Sequence, residues 1–180
     1  MPLSKPLLGT PIYFGNPLLK GLILWYPFLE GGGTVVRNPV NPSLNPGTFS
    51  AIALGSSTSG WKGGAVGGQS VLFDGTNDTI TTGVTTPFDF PWPKVFSVAG
   101  RFKTTSAAVM YIFGKHGASN VGGWGVGVSN HTANKFGVVV KNTGSSGNCL
   151  LRASNTTVND GKWHSFVASI ITDGTVSANN

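Results

Sequence analysis

The sequence has one cysteine, one glutamate and few charges of either sign, with 10% charged residues over 180 positions. Cys149 alone cannot build a disulfide framework. Beside Leu150 and Leu151 it reads as a small buried hydrophobe. Glu30 and five aspartates are all the acids present. They lack the close pairing that glycoside hydrolysis by carboxylates requires. His116, His131 and His164 lie in unrelated contexts, and there is no G-x-S-x-G elbow or phosphate-binding loop. The chain therefore does not read as an enzyme. No heptad or helical period is present, and no apolar run approaches the roughly 20 residues of a membrane span. Pro2, Pro6 and Pro11 interrupt the apolar stretch that an N-terminal signal peptide needs. These absences predict a protein exported without an N-terminal signal or released by lysis, residing on a virion or an extracellular surface.

What is present suits a folded chain of many short strands. Apolar residues make up 39% and include large aromatics throughout, which excludes a solvated polymer. Twenty-seven glycines, with abundant Ser, Thr and Asn, favour tight turns over helices. The length fits one domain with a sizeable core. The net charge of +6 is scattered, with its densest groups at Arg101-Phe-Lys103 and Lys115-His116. Nucleic-acid binders concentrate charge on one face, so no specific nucleic-acid partner is expected. The main reading is a solvated basic surface poor in acids. The alternative is weak attraction to an anionic surface such as a capsid shell or an acidic glycan.

Residues 1–20 form a separate region, an extended proline-rich apolar arm. Prolines at 2, 6, 11 and 17 exclude a helix, while Leu3, Leu7, Leu8, Ile12, Tyr13 and Phe14 are too apolar for a solvated linker. The arm is expected to lie on a surface of its own chain or of a neighbouring subunit, with Leu7, Leu8, Ile12, Tyr13 and Phe14 as assembly contacts. Residues 21–180 read as one β-sandwich domain. Alternation groups Leu22, Leu24, Tyr26 and Phe28 on one strand face. Phe96, Val98 and Phe102 oppose Ser97, Arg101 and Lys103. Trp124, Val126 and Val128 alternate with glycines, followed by Phe136, Val138 and Val140. Trp163, Ser165, Val167 and Ser169 alternate with His164, Phe166 and Ala168. Further strands are predicted at 70–73, 78–82, 109–113 and 148–153, with loops at 38–47, 55–68, 83–94 and 142–148. Trp25, Phe28, Phe73, Phe96, Val98 and Trp163 are the predicted core, and more than a fifth of the chain in helix or an exposed Trp163 would sink the fold assignment.

Three islands carry a family likeness: Gly21-Leu-Ile-Leu-Trp-Tyr-Pro-Phe-Leu-Glu-Gly-Gly-Gly33, Ser70-Val-Leu-Phe-Asp-Gly-Thr-Asn-Asp78 and Asn159-Asp-Gly-Lys-Trp-His164. With Trp61-Lys-Gly-Gly64 and Phe96-Ser-Val98 in the same order, the chain resembles the laminin G-like branch of the concanavalin A-like lectins and glucanases, from about residue 18 to its end. The resemblance implies an antiparallel jelly-roll sandwich. Asn38 stands where the family has an aspartate, and Arg101 or Phe102 replaces its central tryptophan. The family's closing hairpin and last strand have no counterpart before Asn180, so the resemblance implies a jelly roll lacking its C-terminal strands.

The family often binds a structural calcium, and Asp74, Asn77 and Asp78 are the residues whose side-chain oxygens could serve one, with Glu30 a distant partner. An ordinary turn in which Asp and Asn cap their own backbone accounts for the same residues. Trp61 and Trp92, in Gly- and Pro-rich segments, are candidates for stacking on sugar rings. The expected function is a non-enzymatic structural or adhesive surface module, such as a capsid decoration or fibre protein of a phage, whose partners are other protein subunits. The alternative is a carbohydrate-binding, lectin-like module of a secreted or cell-surface protein, with calcium as its cofactor.

Overall fold

The computed structural model describes residues 17–42, 46–64, 68–90, 95–115, 123–141 and 149–171. Over these residues the protein is all-β, 50% strand and 4% helical, and its sheets are antiparallel. Its two compact units run from Met1 to Pro87 and from Phe88 to Asn180.

The first unit holds β1 (Val35–Val36), β2 (Gly47–Ser50), β3 (Gly60–Gly64), β4 (Gly68–Leu72) and β5 (Thr79–Thr82). They form a three-stranded sheet in the order β1-β2-β5 and a β3-β4 hairpin. The predicted strand over Leu22–Phe28 does not form a ladder. Pro27 has no N–H to donate and Phe28 takes φ of 54°, which breaks an extended run. The segment is held by one side chain. Asn38, 1% exposed, accepts from the Trp25 N–H at 3.2 Å and the Val40 N–H at 3.3 Å, and donates to the Ile23 carbonyl at 3.4 Å. The expected 55–68 loop instead contains β3, and β1 and β2 were not foreseen. Trp25 and Phe28 are half-buried. Phe73, expected in the core, is 43% exposed because it lies just past the end of β4, where no sheet face covers it.

The second unit holds β6 (Val95–Lys103), β7 (Met110–Lys115), β8 (Gly123–Val128), β9 (Lys135–Lys141), β10 (Cys149–Thr157) and β11 (Trp163–Ile171). A four-stranded sheet in the order β10-β9-β8-β7 is accompanied by a two-stranded β11-β6 ladder of nine pairs, from Trp163↔Lys103 to Ile171↔Val95. The predicted alternation of large side chains with glycines is present on β8. On β9, Val139 and Val140 are both buried and Phe136 and Val138 are half-buried, so burial there does not follow the predicted face. Trp124, Val126, Val128 and Val140 are 2% exposed or less, and every second residue of β8 is glycine. At Gly127 a Cβ would lie 2.0 Å from the Met110 carbonyl oxygen, and at Gly114 one would lie 2.5 Å from the Trp124 carbonyl oxygen, so the close approach of β7 to β8 depends on these glycines.

Aromatic rings join the two sheets. Phe96 of β6 stacks on Phe90 at 4.1 Å and meets Trp124 at 4.8 Å. Phe166 of β11 meets Phe136 at 4.5 Å and Phe102 at 6.0 Å. Phe166 lies across the ladder over Gly100, where a Cβ would come within 2.9 Å of its ring. The indole N–H of Trp124 donates to the Phe88 carbonyl at 3.0 Å inside this cluster, as a buried Trp needs. Phe96 and Val98 are half-buried on the inward face of β6.

Trp163 is a correction. It is 52% exposed on the outer face of β11, and the inward face is His164, Phe166, Ala168 and Ile170, the last two 7% and 2% exposed. A period of two fixes which residues share a face, not which face is inward. The Phe166 ring, matched to a glycine opposite, decides it. The Trp163-His164 step therefore does not support the laminin G-like resemblance. Cys149 opens β10, and its side chain lies outside the described residues.

Candidate functional site

The Asp74–Asp78 turn follows β4. The Asp74 carboxylate Oδ1 accepts from the backbone N–H groups of Thr76 at 2.8 Å and Asn77 at 3.4 Å, and Gly75 takes the φ of 79° that the turn requires. Asp78 Oδ2 accepts from the Asp74 N–H at 2.9 Å and from the Ser59 hydroxyl at 2.5 Å. Ser59, 3% exposed, was not singled out from the sequence. Its own oxygen accepts from the Ala53 N–H at 3.0 Å. The two aspartates are thus brought together by a turn that uses one oxygen of each. Asp78 Oδ1 is buried without a partner, and Asn77 contributes its backbone N–H. Glu30 caps the Arg37 N–H through Oε1 at 2.7 Å. Among the described residues no three of His, Cys, Asp and Glu gather closely enough to hold a metal ion. Spending one oxygen of each aspartate on the turn's own backbone and on Ser59 fits a self-capped turn better than the several converging oxygen ligands of a calcium cage.

Trp61 lies on β3 and is half-buried. Its ring packs 5.4 Å from Phe49 and 6.4 Å from Phe28, and its indole N–H donates to the Gly33 carbonyl at 2.8 Å. Its ring and its donor thus take part in packing. Trp92 and the arm residues Leu7, Leu8, Ile12, Tyr13 and Phe14 lie outside the described residues.

The outer face of β6–β11 is the most exposed regular surface described. Its outward residues are Val95, Ser97, Ala99, Arg101 and Lys103 on β6, and Trp163, Ser165, Val167, Ser169 and Ile171 on β11. Val95, Val167 and Ile171 are 69%, 76% and 75% exposed. At the other end Arg101 stacks over Trp163 at 5.5 Å. Ser97 and Ser169 share a hydroxyl hydrogen bond at 2.9 Å between Val167 and the Val95/Ile171 end. Among the described residues neither strand has a second ladder partner. Beside β11, a cleft of about 350 Å³ opens between Phe136, Val138 and Leu150 of β9–β10 and Ala168 and Ile170 of β11.

In the turn that leads into β11, Asp160 Oδ1 contacts His164 Nε2 at 2.8 Å and accepts from the Lys162 N–H at 3.0 Å. The His164 hydrogen bond first, and the Lys162 N–H second, hold the Asp160 carboxyl below the usual carboxylate range. Among the described residues no helix is long and apolar enough to cross a membrane. No family model, curated protein or solved structure matches the chain.

Proposed function

We propose that this chain is a non-enzymatic structural or adhesive module that assembles through protein–protein contacts, as a capsid decoration or fibre protein of a virion does. The reading rests on one observation. The nine-pair β6–β11 ladder presents Val95 and Ile171 to solvent at one end and Val167 at its middle, and among the described residues its two edges take no further strand. Exposed apolar side chains on a ladder with open edges are a template for association with another chain. The apolar cleft beside β11 adds a surface that an extended segment of a second copy would fill. The apolar arm, with Leu7, Leu8, Ile12, Tyr13 and Phe14, is the segment whose composition suits that role. The jelly-roll fold of the laminin G-like family is proposed with the same reading: the antiparallel sheets and the aromatic sandwich of the second unit support it, and the exposed Trp163 stands against it. The virion assignment rests on the sequence resemblance.

Light scattering on the purified full chain tests the reading. The intact protein should run as a defined oligomer. The double variant Val167→Asp/Ile171→Asp should run as a monomer with unchanged far-ultraviolet circular dichroism, and deletion of residues 1–16 should weaken assembly. A monomeric intact chain, or a charged variant that assembles normally, overturns it.

A further inference from the structure

The outer face of β6–β11 has two chemically different ends. Ile171↔Val95 closes one, and Trp163↔Lys103 closes the other, with Arg101 paired to Ser165 next to it. Eight residue steps separate them, about 27 Å at strand rise. The second end combines an indole that is 52% exposed, a guanidinium stacked over it at 5.5 Å, and Lys103 directly across the ladder. The neighbouring Lys162 ammonium is exposed. None of the ten outward residues of the two strands is acidic. The acid closest in sequence, Asp160, is held by His164 and the Lys162 N–H, and its carboxylate lies 3.9 Å from the Lys162 ammonium.

We propose that this end binds an acidic polysaccharide, a polymer of pyranose rings bearing carboxylates. The exposed part of the Trp163 ring offers an apolar plate to the C–H face of a sugar. The Arg101 guanidinium, 5.5 Å from the ring centroid and on an exposed residue, carries the fork of N–H donors that can grip a carboxylate with two parallel hydrogen bonds. Lys103 lies about 7 Å further along β6 and supplies a second positive charge for the next sugar in a chain. Ser165 adds a hydroxyl across the ladder from Arg101. The surface is an open ladder and not a pocket, which suits a polymer over a small molecule. Each solvated contact is weak, and repetition along the polymer supplies the avidity. A single aromatic between few cations does not make the long basic track that a nucleic acid follows.

Biolayer interferometry of the full chain on immobilised polygalacturonate at low ionic strength tests the proposal. Neutral dextran, dextran sulfate and a single-stranded oligonucleotide serve as comparators. Binding should fall about tenfold in Trp163→Ala, the scale of one aromatic stacking platform, and by a similar factor in Arg101→Ala. Trp163→Phe and Arg101→Lys should retain part of it. Lys20→Ala, which removes the same charge from an exposed site elsewhere, should bind as the parent does. Val167→Ser/Ile171→Ser, which weakens the apolar face without adding charge, should also retain binding, so assembly and ligand binding fail separately. Equal binding to neutral dextran, tighter binding to the oligonucleotide, or an equal loss in Lys20→Ala overturns the proposal. Equal affinity for dextran sulfate overturns the carboxylate specificity. Trp163→Ala that binds polygalacturonate as well as the parent overturns the whole of it.

Discussion

In the first unit the longest ladder runs five pairs and the strands are two to five residues long, whereas the second unit carries a nine-pair ladder and a four-stranded sheet. Polar side chains brace the first at its irregular segments. Asn38 ties three backbone groups, Glu30 caps Arg37, and Ser59 with Asp78 closes the turn after β4. Stacked aromatics between two sheets hold the second, with Trp124 at their centre. Short strands bury little side-chain area, so buried hydrogen bonds to loops carry more of the specification there. Long alternating strands specify themselves through burial. The contrast predicts that apolar truncation damages the second unit most, and that loss of a single acceptor damages the first.

The largest effect should come from Trp124→Ala, which removes a 2% exposed ring and its hydrogen bond to Phe88. A loss of about 3–5 kcal/mol is expected from cavity formation, read by urea denaturation. Trp163→Ala removes the same side chain from a half-exposed position and should cost less than about 1 kcal/mol. Equal losses at the two tryptophans would break the assignment of β11's inward face. Next is Asn38→Ala, which leaves the Trp25 and Val40 N–H groups and the Ile23 carbonyl without their shared partner. A buried group left unsatisfied costs about 1–3 kcal/mol. A variant as stable as the parent would show that this residue is not the brace of the 21–30 segment.

These contrasts also explain what could be read from the sequence. The strands of the second unit were legible because alternation at Phe96/Val98/Phe102, Trp124/Val126/Val128 and Phe136/Val138/Val140 is a local signal. The opposite facing of Arg101 and Lys103 was legible for the same reason. Their meeting with Trp163 was not, because it depends on β6 pairing with β11, some 60 residues apart by subtraction of Lys103 from Trp163. The inward face of β11 was misjudged because its two faces are almost equally apolar, Trp-Val-Ile against Phe-Ala-Ile. In the first unit the alternation of Leu22, Leu24, Tyr26 and Phe28 suggested a strand that Pro27 and the positive φ of Phe28 forbid. Asn38 was noticed as a departure from a family pattern, but its bonds to residues 13 and 15 positions away leave no local trace.

A smaller effect separates a metal site from a turn. Asp78→Ala removes the acceptor of the Ser59 hydroxyl and the Asp74 N–H, at a cost of about 1–2 kcal/mol. Asp78→Asn keeps an acceptor in place and should cost less. The self-capped turn predicts that the melting temperature of the parent is unchanged by millimolar calcium or by chelator. A rise with calcium that disappears in Asp78→Ala would mean that the buried Asp78 Oδ1 takes an ion.

The smallest expected effect is a titration in the first unit. Burial pushes the Tyr26 phenol up from 10.0 to about 12, because the charged form is disfavoured away from water. Its ring lies against Gly47 of β2, where an added Cβ would come within 3.1 Å of it. The folded-state value lies above the unfolded one, so the neutral phenol favours the fold. That contribution is fully present below pH 10 and is lost as pH rises through 12. Ultraviolet difference titration should therefore resolve one phenolate that forms near pH 12, and Tyr26→Phe should remove that step. Between pH 10 and 12 the parent should lose stability relative to the variant, and below pH 10 their difference should be constant. If the late step persists in Tyr26→Phe, a different tyrosine is the buried one, and the packing of residues 21–30 against β2 is wrong. The same scan reaches the contrast between the units, since the Trp124 cluster has no titrating ring and its near-ultraviolet signal should stay unchanged while Tyr26 ionises.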